Sequence, residues 1–388
     1  MKKTALAISL IALSMSAADA QSFYTDAVNS EMLRSADQHG RNRKEIIIPQ
    51  VNGLNVYKAD LHTHSIFSDG SVLPDLRVSE AWVDGLDVMA VTEHIEYRPH
   101  ESKFLEYFSE YTNPEATKDI TIQKVDLNQS VREAQKAAER YGLTIIPGTE
   151  ITRSGTWVGH FNALFTTDNN TIYAEDHLQA IRNAKAQGAL VMHNHPGWTR
   201  KNIDFTETEK AAYAEGLIDG VEVMNSNEIY PGIIDRVREY GQFIAANTDV
   251  HGTTALDYLL DGTPRPMTLI FAKDQSLDSI KEALVNDLTL AYGYGILCGS
   301  EQLLSDLFKA CVSLRVIRQG AEGKGASLML TNNSSIPFRL SRNGGNPFYL
   351  DPFTTISITG DAGSDTVKVK VVNMFCSKDV NPEIVLSF

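Results

Sequence analysis

The chain has 388 residues, 43% hydrophobic and 22% charged, with a formal net charge of −14. That is ordinary globular composition, long enough for two domains with sizeable cores. The acidic balance, with no basic stripe interleaved with aromatics, argues against long nucleic acid as a partner, whereas a small phosphorylated substrate stays compatible because metal ions supply local positive charge.

Residues 1–20 read as a secretory signal peptide. Lys2 and Lys3 form its positive end, residues 5–13 its apolar run, and Ala18-Asp19-Ala20 a small-residue cleavage site before Gln21. The expected mature chain therefore starts near Gln21 and is exported, in a bacterium to the periplasm. The apolar run falls short of the roughly 20 residues that span a bilayer, and no other stretch offers a membrane span. No cysteine directly follows the run for lipid attachment. Residues 21–50 are polar and charged and read as an N-terminal extension.

From residue 51 to about 270, short apolar runs alternate with helical patterns, the signature of a β/α arrangement around parallel strands, and the barrel domain is expected over residues 51–300. Strand candidates are 55–61, 88–91, 144–146, 190–192, 220–223, 243–246 and 268–271, and seven such strands suggest a barrel. Between them, Leu127, Val131, Ala134, Ala138 and Tyr141 recur at helical spacing and stop at Gly142. Leu178, Ile181 and Ala184 do the same before Gly188, and Ile234, Val237 and Tyr240 before Gly241. From residue 301 to 388 the texture changes: β-forming runs at 327–331, 354–359 and 366–372 are separated by turn signals, predicting a small all-β, sandwich-like domain. Cys298, Cys311 and Cys376 are too few and odd in number for a disulfide framework, although one pair can be oxidised.

Ten histidines are present, and seven of them fall at or just beyond predicted strand ends or in the loop after Glu150. Asp60-Leu61-His62-Thr63-His64 closes the first strand, and side chains two apart on a strand share a side, so both imidazoles can bind one ion. Asp69 follows in Ser68-Asp69-Gly70. The second strand ends in Thr92-Glu93-His94, the third in Glu150, with His160 in the following loop. The fourth ends in His193-Asn194-His195-Pro196, and the sixth leads into Asp249-Val250-His251. Taken singly, each has a structural reading: His94 as a helix cap, Asp249 as a turn, His160 as a satisfied loop residue. Jointly they occupy the face where β/α barrels place active sites.

This ordered set resembles the polymerase and histidinol phosphatase (PHP) superfamily over roughly residues 55 to 300. The resemblance implies a distorted seven-stranded (β/α)7 barrel with two or three divalent ions, commonly zinc, manganese or iron. It implies one ion on His62, His64, Glu150 and Asp249, a second on Glu150, His160 and His195, and a third on Asp69, His94 and His251. Glu93 departs from the family's usual Asp at that position. His193 is an extra histidine, suited to proton transfer beside Glu150 and Asp249, and equally to a place in the core.

The expected activity is a phosphoesterase using a metal-activated hydroxide on a small phosphorylated substrate. Arg98, Arg153, Arg200 and Lys201 follow the metal motifs and are candidates to hold a phosphate, and Asn225 ends the fifth strand within reach of substrate; exposed cations and a turn-forming Asn are the plainer readings. The rivals are cleavage of an amide or cyclic ester by the same ions, and a secreted binding protein with structural metal. Nine ligands for three ions leave open positions, which favours catalysis over a closed structural site. The oligomeric state is not legible.

Overall fold

Strand β1 (Asn55–Asp60) pairs in parallel with β2 (Val88–Val91), and β2 with β3 (Thr144–Ile151). The computed structural model describes residues 43–100, 126–152, 158–259 and 265–388. All of β2 is buried, as expected of a parallel strand covered on both faces. Helix α1 (Pro74–Val83) starts with a proline where the missing N–H costs nothing, and buries Val78 and Ala81. Helix α2 (Gln129–Ala138) turns Val131, Ala134 and Ala138 inward at helical spacing.

The chain then departs from a regular β/α alternation. Strand β4 (Phe161–Leu164) lies antiparallel to both β3 and β5 (Leu190–His193), because the short link from Ile151 to Phe161 has no room for the crossover that parallel pairing requires. Parallel order resumes with β6 (Gly220–Asn225), whose end folds back as β7 (Glu228–Ile229), and with β8 (Phe243–Asn247). The intervening helices are α3 (His177–Ala186), capped by Asp176, and α4 (Glu207–Ala214), opened by a capping box of Thr206 and Glu209. Helix α5 (Pro231–Tyr240) is closed by Gly241 at φ 63°. Strand β9 (Met267–Ala272) runs antiparallel to β1; helix α6 (Leu277–Val285) and strands β10 (Thr289–Gly293) and β11 (Ile296–Cys298) follow.

The expectation of seven parallel strands is corrected in two places. Residues 268–271 do form a strand, but an antiparallel one, and 161–164 supply a strand that the sequence reading missed. The result is a curled mixed sheet that closes on itself by two devices. Near the ends of β1 and β8, the Asp249 N–H donates to His62 O (3.0 Å) and the His64 N–H to Val250 O (3.2 Å). Lower down, threonine hydroxyls replace the ladder: Thr289 Oγ1 accepts from Ile244 N (3.1 Å) and donates to Ile244 O (2.8 Å), and Thr268 Oγ1 lies 3.0 Å from both Ala246 N and Ala246 O.

Helix α7 (Glu301–Cys311) leads into β12 (Val312–Arg318), β13 (Ser327–Asn332), β14 (Phe338–Ser341), β15 (Phe348–Leu350), β16 (Thr355–Thr359), β17 (Thr366–Val371), β18 (Met374–Phe375) and β19 (Glu383–Ser387). Two sheets result, β12-β13-β16 and β15-β14-β17-β19, while β18 crosses over and pairs with β11, bringing the curled sheet to 12 strands. Along β17, Val367, Val369 and Val371 are buried and Lys368 and Lys370 face out. One apolar core runs from Met89 and Leu269 through Phe308 to Phe338 and Val369, so these sheets share their interior with the barrel. All three cysteines are unpaired and buried, and burial pushes the Cys298 and Cys311 thiols up to about 12 and about 11. No helix among the described residues is long and apolar enough to cross a membrane.

Candidate metal centre

The end of β1 is fixed before any ligand appears. Asp60, fully buried, accepts from His62 N (3.1 Å) and Thr248 N (3.2 Å) and is paired with the buried Arg265. Its oxygens are therefore spent on scaffolding. His62 and His64 follow with ring centroids 5.1 Å apart. His62 Nδ1 lies 2.9 Å from Glu222 Oε1, which leaves Nε2 facing Asp249 Oδ1 (3.2 Å) and Glu150 Oε2 (3.4 Å). His64 Nε2 meets the same two atoms at 3.1 and 3.3 Å.

Three groups of ligand atoms emerge: His62, His64 and Asp249; His62, Glu150 and His195; and His64, Asp69, His94 and His251. In the third, Asp69 Oδ1 stands 3.1 Å from His251 Nε2 and 3.4 Å from His94 Nε2. His160 Nδ1 is 3.2 Å from Glu150 Oε1, and His195 Nε2 is 3.8 Å from the same oxygen. All nine residues singled out from the sequence thus converge. Two of them, Asp249 (φ 54°) and His195 (φ 24°), hold a left-handed backbone that costs non-glycine residues about 1–3 kcal/mol each, strain of the kind that concentrates at functional sites.

The donor set fits divalent cations. His62 Nε2, His64 Nε2, Asp69 Oδ1 and Glu150 Oε2 are buried without a hydrogen-bond partner, and all four point into the cluster. Buried polar atoms are seldom left so. Burial opposes charge on His94, yet the Glu150 and Asp69 carboxylates outweigh it and raise the ring to about 10. Burial likewise opposes protonation of His62, and Asp249, Glu222 and Glu150 together reverse it. Burial favours the neutral acid at Asp69, Asp249 and Glu150, but the surrounding imidazoles hold all three below the usual carboxylate range. His195 alone goes the other way, pushed down to about 3 by burial, and offers a neutral nitrogen. A site that stabilises carboxylates and crowds them with imidazoles is one in which cations replace protons. Imidazole and carboxylate donors suit zinc, iron or manganese.

A surrounding shell holds these ligands. Glu222, buried in β6, receives His62 Nδ1 and Asn247 Nδ2 on Oε1 (both 2.9 Å), and His195 N (2.7 Å) and Asn225 Nδ2 (2.8 Å) on Oε2. Asn194 donates to Glu150 Oε1 (3.0 Å). Glu93 ligates nothing: it binds the hydroxyls of Ser65 and Ser68 and the Ser65 N–H, tying down the turn that presents Asp69. A Cβ on Gly70 would meet the backbone carbons of His64 and Ser65 at 2.9 Å, so glycine is needed to bring that turn in. The buried Arg77 holds the carbonyls of His64 (3.0 Å), His251 (3.3 Å) and Gly252 (2.8 Å). Glu222, Asn194 and Arg77 were not recognised in the sequence; a lone Glu inside the apolar Val221-Glu222-Val223-Met224 run was the available signal.

Of the two readings of His193, the contacts of its ring fit the core place and not proton transfer at the cluster. Its ring is buried with Nδ1 3.1 Å from Tyr213 Oη and Nε2 3.0 Å from Glu209 Oε1, turned toward α4 and away from the ligands. Arg200, proposed for phosphate, is bidentate on Glu209 (2.6 and 3.0 Å) beside a small recess of about 40 Å³ formed with His160, His195 and Trp198. Asn225 serves Glu222, and Arg98 donates to His94 O at 3.2 Å. Lys201 is exposed, and Arg153 lies outside the described residues. On the other flank, a cleft of about 430 Å³ opens beside Asp249 and His251, with Ser226, Asn227, Asp257, Tyr258 and Tyr294 among its walls.

Residues 60–248 match the PHP domain family. The fold is similar to a crystal structure of a two-domain protein from Bacteroides vulgatus containing a predicted PHP-like metal-dependent phosphoesterase, with 33% identity, 90% of this chain and 100% of that chain covered, and a TM-score of 0.78. More distant are a lesion-specific endonuclease from Pyrococcus furiosus (15% identity, 63% of this chain and 59% of that chain, TM-score 0.40) and an amidohydrolase from Chromobacterium violaceum (13% identity, 50% and 87%, TM-score 0.35). No curated protein matches the sequence.

Proposed function

The chain belongs to the PHP family, and on that premise we propose that it is a phosphoesterase that hydrolyses a small phosphorylated substrate with two or three divalent ions, zinc, manganese or iron. The observation that carries this reading is the set of unpartnered buried atoms on His62, His64, Asp69 and Glu150, brought together from the end of β1, the turn after it and β3. Ions held there would lower the pKa of bound water toward neutrality, making hydroxide available, and would supply positive charge to a phosphoryl group.

The chain's own residues supply position and charge. Glu150 belongs to the second group and reaches the first, with Oε2 3.3 Å from His64 Nε2; Asp249 belongs to the first and reaches the second, with Oδ2 3.7 Å from His195 Nε2. That spacing fixes neighbouring ligand groups at close range, as an in-line displacement requires. Glu222 keeps His62 in one tautomer, and Asn194 directs Glu150 Oε1. Arg200, already neutralised by Glu209, is oriented at the recess by that pairing rather than free to sweep toward substrate. The strand ends bearing the ligands form the floor, and the cleft beside Asp249 is where the alcohol portion of a phosphoester would lie.

Export to the periplasm after loss of residues 1–20 belongs to the same proposal, and rests on the charged, apolar and small-residue segments of that stretch. Mass measurement of the protein recovered from a bacterial periplasm tests it: a chain starting near Gln21 supports export, and a full-length cytoplasmic chain overturns it.

The deciding experiment combines elemental analysis with hydrolysis of a panel of phosphate esters by wild type and His62→Ala. Metal-dependent turnover that disappears in the variant is the expected result. Bound metal with no turnover of any ester overturns the phosphoesterase reading, and absence of bound metal overturns the metal centre.

A further inference from the structure

We propose that Tyr294 is the residue that selects the alcohol portion of the substrate, favouring a planar, ring-bearing leaving group, and that the C-terminal sheets hold it in place through Asn373. The inference rests on the reading of the cleft beside Asp249 and His251 as the alcohol side of the phosphoester site.

Tyr294 and Gly295 form the two-residue turn between β10 and β11, with φ of 54° and 72°. Two successive positive φ values mark the tight hairpin turn that Asn-Gly normally fills, because a bulky side chain is strained there. A tyrosine in this position needs outside support, and the structure supplies it from two sides. Tyr294 Oη donates to Ser226 O at 2.6 Å, tying the β10–β11 tip to the turn that follows β6. Both Tyr294 and Ser226 then wall the cleft, with Tyr258 and Asp249.

The second support comes from the C-terminal segment. Asn373 Nδ2 donates to Gly295 O (2.7 Å) and Pro337 O (2.9 Å), while Asn373 Oδ1 accepts from Arg339 N (2.8 Å). Asn373 O accepts from Leu297 N (3.0 Å), at the start of the parallel pairing between β11 and β18. One buried amide thus links β14, β18 and the tip that carries Tyr294. The chain crosses from the small sheets back to the barrel beside the cleft, and this gives β18 a role that packing alone does not require.

The cleft is lined by two tyrosines, the buried Tyr258 and the exposed Tyr294, together with the short polar side chains of Asn227, Asp257 and Ser226. That lining suits an uncharged ring with hydroxyl or amide edges, which stacks on tyrosine and exchanges hydrogen bonds with the rim.

The test is calorimetric binding of phenylphosphonate and methylphosphonate to metal-loaded wild type, Tyr294→Ala, Tyr294→Phe and Asn373→Ala, none of which requires turnover. Wild type should prefer the phenyl compound by about three- to tenfold, the size of one aromatic contact. Tyr294→Ala should abolish that preference while leaving methylphosphonate affinity and metal content unchanged. Tyr294→Phe should keep most of it, and Asn373→Ala, which touches neither ligand nor cleft, should reduce it. Equal affinity of wild type for the two compounds, binding of neither, or an equal loss for both in Tyr294→Ala, overturns the inference. A phenyl preference in a protein that hydrolyses no phosphate ester leaves Tyr294 as the selecting residue and overturns only the phosphoesterase reading.

Discussion

His62 and Glu222 come from strands 160 residues apart in sequence and meet at 2.9 Å through Nδ1 and Oε1, both fully buried. The contact decides which imidazole nitrogen faces the ligand cluster, and its carboxylate also holds Asn225, Asn247 and the His195 backbone.

Replacing that carboxylate should therefore weaken the metal centre without touching a ligand. In Glu222→Gln one oxygen becomes a donor and must face groups that are themselves donors. We expect metal affinity to fall about 10- to 100-fold, the usual range for such partners. Titration with a competing chelator measures it, and an unchanged affinity would show that the His62 ring is held by its packing alone.

His193→Gln separates the two histidines of β5. Because His193 serves Glu209 and Tyr213, its loss should lower stability by about 1–3 kcal/mol, the cost of disturbing a buried hydrogen-bonded pair, and leave bound metal at the wild-type level. His195→Ala should do the reverse and lose metal first. Elemental analysis beside a denaturant curve distinguishes them; metal loss in His193→Gln would return that residue to the centre.

Much of the site was legible because strand alternation is a local rule. It placed His62 with His64, and the order of short motifs gathered Asp69, His94, Glu150, Asp249 and His251. That rule could not decide between the two readings of His193, because the ladder of β5 stops there and the φ of 24° at His195 turns the chain beyond it. Glu222 and Arg77 stayed hidden because their partners are distant in sequence. The antiparallel β4 was hidden by its length: four buried residues carry no period.

Metal loading should release protons. In the metal-free protein burial works against charge on His94, but Glu150 and Asp69 keep it protonated up to about pH 10, and Asp69 raises His251 against the same opposition. A folded value above the unfolded one of about 6.5 adds stability that is complete below that pH and is lost as pH rises through about 10. At about pH 8 an incoming ion must expel these protons, whereas unshifted imidazoles would have almost none to give. Zinc titrations by calorimetry in buffers of different ionisation enthalpy should report at least about one proton released; enthalpies independent of buffer would contradict the ion pairing.

The threonine seam makes the last prediction. Thr289 is buried, and its hydroxyl accepts from Ile244 N and donates to Ile244 O, where a neighbouring strand would otherwise pair. Valine has the same shape and neither hydrogen bond, so Thr289→Val strands a buried N–H and should cost about 1–3 kcal/mol. Serine keeps the hydroxyl and loses only a methyl group, about 1 kcal/mol by area. Because β8 leads into Asp249 while the seam lies lower in the barrel, metal content should be unchanged in both variants. Denaturation midpoints compared at equal metal loading check this. If valine proves as stable as serine, closure depends on packing across β8 and β10, and the hydroxyl bonds add nothing to it.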